Sequence, residues 1–199
     1  MNVDLVSEYS NDLADQLHRL HLAALPNDIF PNLDRQYYRH AVARMIWHGP
    51  LAVAVEAGKI VGFCSVANEP EEFSDSLANE YRMLAKNLAR FAITRPTLLL
   101  DIVGAAIGGA ETIEPIDYVP EITVIAVAAH RRGRNIGPAL IEKCATQIGT
   151  THLIVKTSDQ NAERFYLRNR FERIGKQNRF RRELTILRRK LKAPASLVA

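Results

Sequence analysis

The residues from 122 to 148 restrict the fold of this 199-residue chain more than any other segment. A β-branched apolar run, Ile122–Ala128, is followed by a basic loop with two glycines, Arg131–Gly137, and then by apolar residues at helical spacing. β-branched residues favour strands, and Pro138 suits the first turn of a helix. The segment therefore predicts a strand, a loop and a helix, which is typical of mixed α/β folds.

This loop has the composition of an anion-binding site. The first N–H groups of a helix lack partners within the helix, and the helix dipole favours negative charge at that end. Three arginines, Arg131, Arg132 and Arg134, add formal positive charge to the loop. The sequence lacks the Gly-Lys-Ser/Thr of a Walker loop and the Gly-x-Gly-x-x-Gly of a dinucleotide-binding turn. The loop therefore predicts a phosphate or pyrophosphate site, with an ordinary basic surface loop as the alternative.

The distribution of charge also indicates an anionic partner. The formal net charge is +4, but residues 164–192 hold 12 basic and 2 acidic side chains, so the rest of the chain is acidic. Such asymmetry is typical of proteins that bind a nucleic acid or a phosphate-rich cofactor. The basic segment contains no recognised nucleic-acid-binding motif. The charge by itself leaves both classes of partner open.

Composition excludes several classes of protein. A hydrophobic content of 47% excludes a disordered chain. Two cysteines, Cys64 and Cys144, cannot build a disulfide scaffold or a four-cysteine zinc site, and both lie in apolar runs that predict buried thiols. The N-terminus lacks the pattern of a signal peptide, and no apolar tract is long enough to span a membrane. We expect a cytoplasmic protein of one domain that binds no metal.

Hydrophobic periodicity predicts the remaining secondary structure. Helical spacing is seen in residues 11–24, 33–47 and 161–169, and over much of 70–109. Strands are predicted at 51–55, 60–66, 153–155, 171–175 and 180–187, and the first two form a hairpin in which Gly58 takes positive φ.

Two sequence patterns resemble those of one enzyme family. Arg132-x-x-Asn135-x-Gly137 resembles the Gln/Arg-x-x-Gly-x-Gly/Ala motif of GNAT acetyltransferases, with asparagine in place of the first glycine. Asparagine also tolerates the left-handed backbone, so the loop can still form. The second pattern begins at Asn161, contains Phe165-Tyr166 and ends at Phe171. It is similar to the family element Asn-x-x-Ala-x-x-Phe-Tyr-x-x-x-Gly-Phe, although arginine replaces its glycine.

The resemblance implies a fold and a reaction. The fold is a single α/β (α+β) domain over residues 1–199, with a mixed central sheet flanked by helices. Residues 70–109 would form a helical insertion between the third and fourth strands, and residues 171–199 the basic C-terminal strands and tail. The reaction is transfer of an acetyl group from acetyl-CoA, the co-substrate, to a primary amine. The resemblance therefore implies a cofactor and no nucleic acid, with the nucleic-acid reading as a rival.

The resemblance also assigns roles to residues. Tyr166 would return a proton to the departing thiolate, and the backbone near Val127 would stabilise negative charge on the thioester oxygen. Glu121 is the first candidate for the base that deprotonates the amine, with Asp117 and Tyr118 as alternatives; His130 is expected to face solvent or cofactor. Since residues of a strand alternate in direction, Glu121 is expected on the same face as Ile125 and Val127. The expected cofactor-binding residues are Ile125, Val127, Arg132, Gly133, Arg134, Asn135, Gly137, Asn161 and Arg168.

The acceptor stays open at this stage. Amino sugars rank slightly ahead of amino acids, peptides and polyamines, and the resemblance is compatible with a homodimer. Tyr37, Tyr38 and Trp47 are candidates to line the acceptor pocket, with a place in the core as the alternative for each. The rival function within the same fold is a module that binds CoA or a partner protein without turnover.

Overall fold

A mixed sheet of seven strands forms the centre of the protein in a computed structural model, which describes residues 1–26, 28, 30–78, 119–179 and 182–191. Among these residues the strand order is β1-β2-β3-β4-β5-β7-β6, and every neighbouring pair is antiparallel except β4 and β5. The strands are β1 (Asn2–Leu5), β2 (Leu51–Glu56), β3 (Lys59–Ala67), β4 (Glu121–Val127), β5 (His152–Thr157), β6 (Glu172–Arg179) and β7 (Arg182–Lys190).

Helices cover both faces of the sheet and divide the core into two clusters. On one face α1 (Asn11–Ala24), α2 (Arg35–His48) and α3 (Pro70–Ala78) pack on β2, β3 and β4. On the other face α4 (Ile136–Ala145) and α5 (Gln160–Arg168) pack on β2 to β5 and β7. We call these the α1 face and the α4 face. The expected fold class is confirmed: a mixed central sheet is flanked by helices.

Local sequence explains where several elements begin and turn. Ser10 caps α1 by accepting a hydrogen bond from the N–H of Leu13, which fills one of the unpaired donors at a helix start. The hairpin between β2 and β3 turns at Ala57 and Gly58, which both have positive φ, the conformation of a two-residue type I′ turn. The prediction for Gly58 is therefore confirmed.

Strands β4 and β5 separate almost as soon as they meet. Strand β4 pairs with β3 along its length, but with β5 only where Glu121 lies beside Ile154, supported by a 2.9 Å bond from the N–H of Ile154 to the carbonyl of Pro120. Beyond that point β4 has no backbone partner on its β5 side among the described residues. The result is a wedge-shaped gap that is open toward the C-terminal ends of both strands.

Strand β4 also contains a β-bulge. Val124 lies opposite Ser65 and Ile122 lies opposite Val66, so Thr123 is an extra residue without its own partner in β3. The hydroxyl of Thr123 donates to the carbonyl of Ser65 at 3.3 Å. An inserted residue reverses the alternation of side chains. Accordingly, Ile122 packs in the core of the α4 face, whereas Val124 and Ala126 pack in the core of the α1 face.

Some predicted elements differ from those observed. Strand β1 is absent from the sequence prediction, because four residues of mixed polarity carry too little periodic signal. The predicted C-terminal strands are each shorter than β6 and β7. Of the predicted helical insertion, α3 is observed, and residues 79–109 lie outside the described part of the chain. Cys64 and Cys144 are buried free thiols, as predicted.

Candidate functional site

The gap between β4 and β5 presents backbone groups of β4 that, among the described residues, have no partner in a neighbouring strand. The N–H of Ala128 donates to Val61 of β3 at 2.9 Å. Because peptide groups alternate in direction along a strand, those of Ile125 and Val127 face away from β3 and into the gap. An extended, peptide-like molecule could pair with this edge as an added strand.

The N-terminus of α4 lies at the mouth of the gap, and no side chain in the described part of the protein caps it. The loop before it turns at Gly133, with φ of 78°, and at Asn135, with φ of 60°. Asn135 occupies the N-cap position in a left-handed conformation, and its side chain makes no capping hydrogen bond. The first N–H groups of α4 are therefore left for an anion. Glycine adopts this left-handed conformation without steric cost, which explains why the sequence pattern has glycine where this chain has Asn135.

The loop arginines differ in their surroundings. The guanidinium of Arg131 pairs with Glu56 at 2.6 Å, at the end of β2. Arg132 donates from Nε to the carbonyl of Val127 at 3.3 Å and from Nη2 to the carbonyl of Ala24 at 3.0 Å. Arg132 thus joins the end of β4 to the end of α1, whereas Arg134 is exposed. The sequence indicated three equivalent charges, but the guanidinium groups of Arg131 and Arg132 bond to other groups of this protein.

Gly137 is closely packed by an aromatic ring. A Cβ atom at this position would lie 2.9 Å from Cζ and 3.0 Å from Cε2 of Phe165 on α5, and 3.8 Å from Cδ1 of Ile125. Carbon atoms in favourable contact are about 3.5–4.0 Å apart. The glycine therefore lets α5 approach the first turn of α4, beside the gap.

Tyr166 lies in the core of the α4 face at the narrow end of the gap. Its ring is only 4% exposed and makes edge contacts with Phe165 and Phe171, with centroids 5.2 Å away in each case. Burial, followed by the nearby Cys64 and Glu121, raises the pKa of Tyr166 well above its ordinary value. A phenol in this environment keeps its proton at neutral pH, so its hydroxyl can donate a hydrogen bond and does not act as a base, although the raised pKa also makes it a weaker acid.

Glu121 lies on the face opposite the one expected. The bulge at Thr123 reverses the alternation, so Glu121 does not share a face with Ile125 and Val127. Its carboxylate pairs with the ammonium of Lys156 on β5 at 2.8 Å, with both side chains largely buried. The bulge could not be read from the sequence, because a β-branched run looks the same with one extra residue. Lys156 could not be identified from the sequence either, because only the pairing of β4 with β5 brings it next to Glu121.

Asn161 and Arg168 are both exposed on α5. The cap of this helix is Asp159, whose carboxylate accepts from the N–H groups of Asn161 and Ala162 at 2.6 and 3.2 Å. The side chain of Asn161 is therefore not needed as a cap. Arg170, which replaces the glycine of the sequence pattern, has φ of 66°. Asn135 and Arg170, the two residues that replace glycines of the pattern, thus both have the positive φ that glycine favours.

The predicted lining of the acceptor pocket is not brought together. Tyr37 and Tyr38 are buried in the core of the α1 face. Trp47 is 82% exposed, beside a pocket of about 350 Å³ that is also lined by Leu5, Pro50 and Asn68. His130 is exposed, and Asp117 and Tyr118 lie outside the described residues. Across the described ranges there is no group of three side chains suited to a metal, and no helix there is long and apolar enough to cross a membrane.

Comparison with known proteins reports the same fold. Residues 14–171 match the model of the acetyltransferase (GNAT) family. No curated protein sequence matches the chain. Among solved structures, the Drosophila melanogaster polyamine N-acetyltransferase, which forms N-acetylagmatine, is 15% identical with a TM-score of 0.60, covering 96% of this chain and all of that one. An agmatine N-acetyltransferase is 16% identical (TM-score 0.61), with 96% and 100% covered. The Escherichia coli ribosomal-protein-S18-alanine N-acetyltransferase is 11% identical (TM-score 0.56), with 100% and 99% covered.

Proposed function

The chain belongs to the GNAT acetyltransferase family, and we propose that it moves an acetyl group from acetyl-CoA to a primary amine by direct attack in a ternary complex. The observation that carries the proposal is the gap between β4 and β5, with the uncapped N-terminus of α4 at its mouth and Tyr166 at its narrow end. CoA combines a pyrophosphate with a peptide-like arm, and this gap offers a partner to each.

The residues at the gap fit the binding of CoA. The free N–H groups at the start of α4, together with Gly133 and Asn135 in the loop, would hold the pyrophosphate. Arg134, which is exposed in the same loop, can add charge-assisted bonds to phosphate oxygens, and the exposed Arg168 of α5 is proposed to do the same. Arg132 uses only two of its five N–H donors on Val127 and Ala24, so its other donors can serve a phosphate as well. The amides of Ile125 and Val127 would pair with the arm, and the Asn161 side chain would bond to it from α5.

Tyr166 is proposed as the acid that protonates the CoA thiolate as it leaves. Bound acetyl-CoA supplies the activated acetyl group, and the protein has to orient it and return one proton. The contacts of Tyr166 with Phe165 and Phe171 hold its ring in one orientation, and this geometry supports the role. The raised pKa keeps the phenol protonated before the reaction but makes it a weaker acid, so the phenolate left after donation would take a proton back from solvent. The N–H of Val127 faces the gap and would donate to the thioester oxygen.

Glu121 is proposed as the base that receives the proton of the incoming amine, directly or through water. Its position on the α1 face and that of Tyr166 on the α4 face put a base and an acid on opposite sides of the sheet. An amine that approaches from the α1 face would meet acetyl-CoA lying in the gap between the two. Lys156 holds the carboxylate in place at 2.8 Å.

The acceptor is proposed to be a small primary amine. Amino sugars, amino acids and short peptides form the first panel. Polyamines and agmatine join it because two proteins with this fold act on them, although identities of 15–16% establish the fold alone.

The test is a screen for free thiol with acetyl-CoA and this panel, followed by Tyr166→Phe. We expect Tyr166→Phe to lower kcat by about 10²-fold with little change in the affinity for CoA, because a general acid contributes about 10²–10⁴-fold. Tyr9→Phe, the same change on an exposed residue, is the matched control. Full turnover in Tyr166→Phe would remove the residue from the acid role.

The alternative, a module that binds CoA without turnover, depended on Asn135 and Arg170. Both adopt the positive φ that glycine would supply, so neither departure distorts the site. This favours the enzyme. Tight binding of CoA in calorimetry without thiol release from any amine would favour the module instead.

A further inference from the structure

Lys156 is a primary amine that lies at the edge of the gap, next to the proposed base. Its ammonium is 2.8 Å from the carboxylate of Glu121. Glu121 lies beside Ile154 where β4 and β5 pair, and Lys156 follows two residues later on β5. It therefore projects from β5 at a place where the two strands have separated. The side chain that holds the base is thus itself of the chemical class that the enzyme is proposed to acetylate.

Lys156 also lies on the side of the sheet from which an acceptor amine is proposed to approach. Leu153 and Val155 of β5 pack in the core of the α4 face. Because side chains alternate along a strand, Lys156 points to the α1 face. This agrees with its ion pair to Glu121, which the bulge in β4 places on that face. The ammonium of Lys156 therefore occupies the place that the proposed mechanism gives to the acceptor nitrogen.

We propose that Lys156 is a self-acetylation site, to which acetyl-CoA bound in the gap transfers its acetyl group when no acceptor amine is present. The inference rests on the proposed function, because it uses the same donor, base and acid. A lysine side chain has a flexible stem of four carbons. Rotation about the bonds of this stem moves the Lys156 nitrogen from Glu121 toward a thioester held beside Ile125 and Val127.

The step balances with the groups that the proposed function already supplies. Glu121 takes one proton from the Lys156 ammonium, which frees the lone pair of the amine. The nitrogen attacks the carbonyl carbon of acetyl-CoA, so that a C–N bond forms while the C–S bond breaks and the sulfur keeps its electron pair. The nitrogen releases a second proton to water, and the CoA thiolate takes one from Tyr166. After Glu121 and Tyr166 exchange protons with solvent, the products are acetylated Lys156, free CoA and one proton.

Acetylation of Lys156 changes the surroundings of the base. The product is a neutral amide, so the positive charge of the side chain is lost. The carboxylate of Glu121, which is largely buried, then lacks its charged partner. The added acetyl group also stands where an acceptor nitrogen has to enter. Modified protein should therefore turn over more slowly, so that protein exposed to acetyl-CoA without an acceptor inactivates itself.

Lys176 provides a matched internal control. Its ammonium lies 2.7 Å from the carboxylate of Glu183, so it forms the same kind of ion pair, but between β6 and β7. The side chain of Lys176 is 63% exposed, whereas that of Lys156 is 25% exposed. Acetyl-CoA that reacted from solution would modify the more exposed amine first. Preferential modification of the more buried lysine therefore reports on transfer inside the gap.

The experiment incubates the protein with acetyl-CoA that carries an isotope-labelled acetyl group, without any amine, and follows each lysine by peptide mass spectrometry. We expect Lys156 to gain the label at least about tenfold faster than Lys176, at a rate independent of protein concentration, because both reactants are held in one complex. Glu121→Gln should lower the labelling of Lys156 about 10²-fold and leave that of Lys176 unchanged, since it removes the base.

A second measurement links the modification to activity. Wild-type protein is incubated with acetyl-CoA alone, freed of the cofactor and assayed for thiol release with the best acceptor of the panel. Turnover should fall in step with the modified fraction of Lys156, and acceptor present during the first incubation should slow the modification. Lys156→Arg keeps the charge but has no amine to acetylate, so it should retain through this treatment the turnover with which it started.

The outcomes separate self-acetylation from the proposed function. Equal labelling of Lys156 and Lys176, or undiminished labelling of Lys156 in Glu121→Gln, would overturn the inference, because both indicate reaction from solution. If Glu121→Gln does not fold, the comparison of the two lysines in the wild type decides alone. Turnover of an amine without label on Lys156 would overturn self-acetylation and leave the proposed function intact. Label on Lys156 without turnover of any amine would support self-acetylation and refute the small-amine acceptor, and the absence of both would refute both proposals.

Discussion

Replacing Gly137 with alanine tests the packing at the mouth of the gap. The position is not in the left-handed region, so alanine suits the helical backbone and is about 1 kcal/mol more favourable than glycine there. The new Cβ, however, would lie 2.9 Å from Cζ of Phe165, about 0.6 Å closer than the shortest favourable contact. Either the ring or α5 must move.

The two effects have opposite signs, so the magnitude comes from their difference. Inserting a methyl group into a packed contact costs about 1–3 kcal/mol, against the gain of about 1 kcal/mol in helix propensity. Gly137→Ala should therefore lower the free energy of unfolding by about 1 kcal/mol, or Tm by about 2–4 °C for a chain of this size. Because Tyr166 follows Phe165 on α5, kcat should fall as well.

A double-mutant cycle with Phe165→Leu isolates the contact. Leucine removes the tip of the ring, so Gly137→Ala in that background should be neutral or stabilising, with a coupling of about 1–2 kcal/mol in urea denaturation. Equal destabilisation in both backgrounds would refute the packing argument. If the KM for acetyl-CoA still rises in the double variant, Gly137 is needed for the close approach of the cofactor and not for the close approach of α5.

Three further predictions follow from the described contacts. Two arginines of α2 hold the pKa of Asp15 far below its ordinary value. The ion pairs of Asp15 therefore stabilise the fold above about pH 4, and this stabilisation is lost as the pH falls further. The Tm difference between wild type and Asp15→Asn should be constant from about pH 5 to 8 and vanish in stronger acid. Glu121→Gln should lower kcat about 10²-fold and Lys156→Met less than tenfold, since only the first removes the proposed base; equal losses would make the pair structural. Asn135→Ala should cost up to about 1 kcal/mol in urea denaturation, because alanine tolerates positive φ less well than asparagine, whereas Asn135→Gly, which removes the Cβ, should not destabilise the protein.

The sequence was a good guide wherever one residue type determines one conformation. Gly58 marks a turn with positive φ, and the loop before α4 places Gly133 and Asn135 in the same region. These features are local, so they can be read from neighbouring residues. The fold followed from the order of such elements and from two patterns that resemble a known family.

The sequence could not supply features that depend on pairing between distant segments. The bulge in β4 exists because Thr123 has no partner in β3, and it moves Glu121 to the opposite face, beside Lys156. His21, a buried residue of α1, has as partners Asp28, which follows that helix, and Tyr38 on α2. Hydrophobic periodicity takes no account of such partners, so it assigns the position of His21 to an apolar side chain. Such polar residues in a core look like exceptions until their partners are known.

The basic C-terminal segment shows how local net charge can mislead. Arg173 pairs with Glu163 on α5, Lys176 with Glu183 on the neighbouring strand, and Arg189 with Glu142 on α4. Two of these carboxylates come from outside the segment 164–192, so part of the positive charge is balanced inside the fold. An anionic partner is therefore not required to explain these three cations. The cofactor needs only the few exposed cations of the loop before α4. The pairs of Arg173 and Arg189 fasten the last two strands to the helices of the α4 face, and the pair of Lys176 joins β6 to β7.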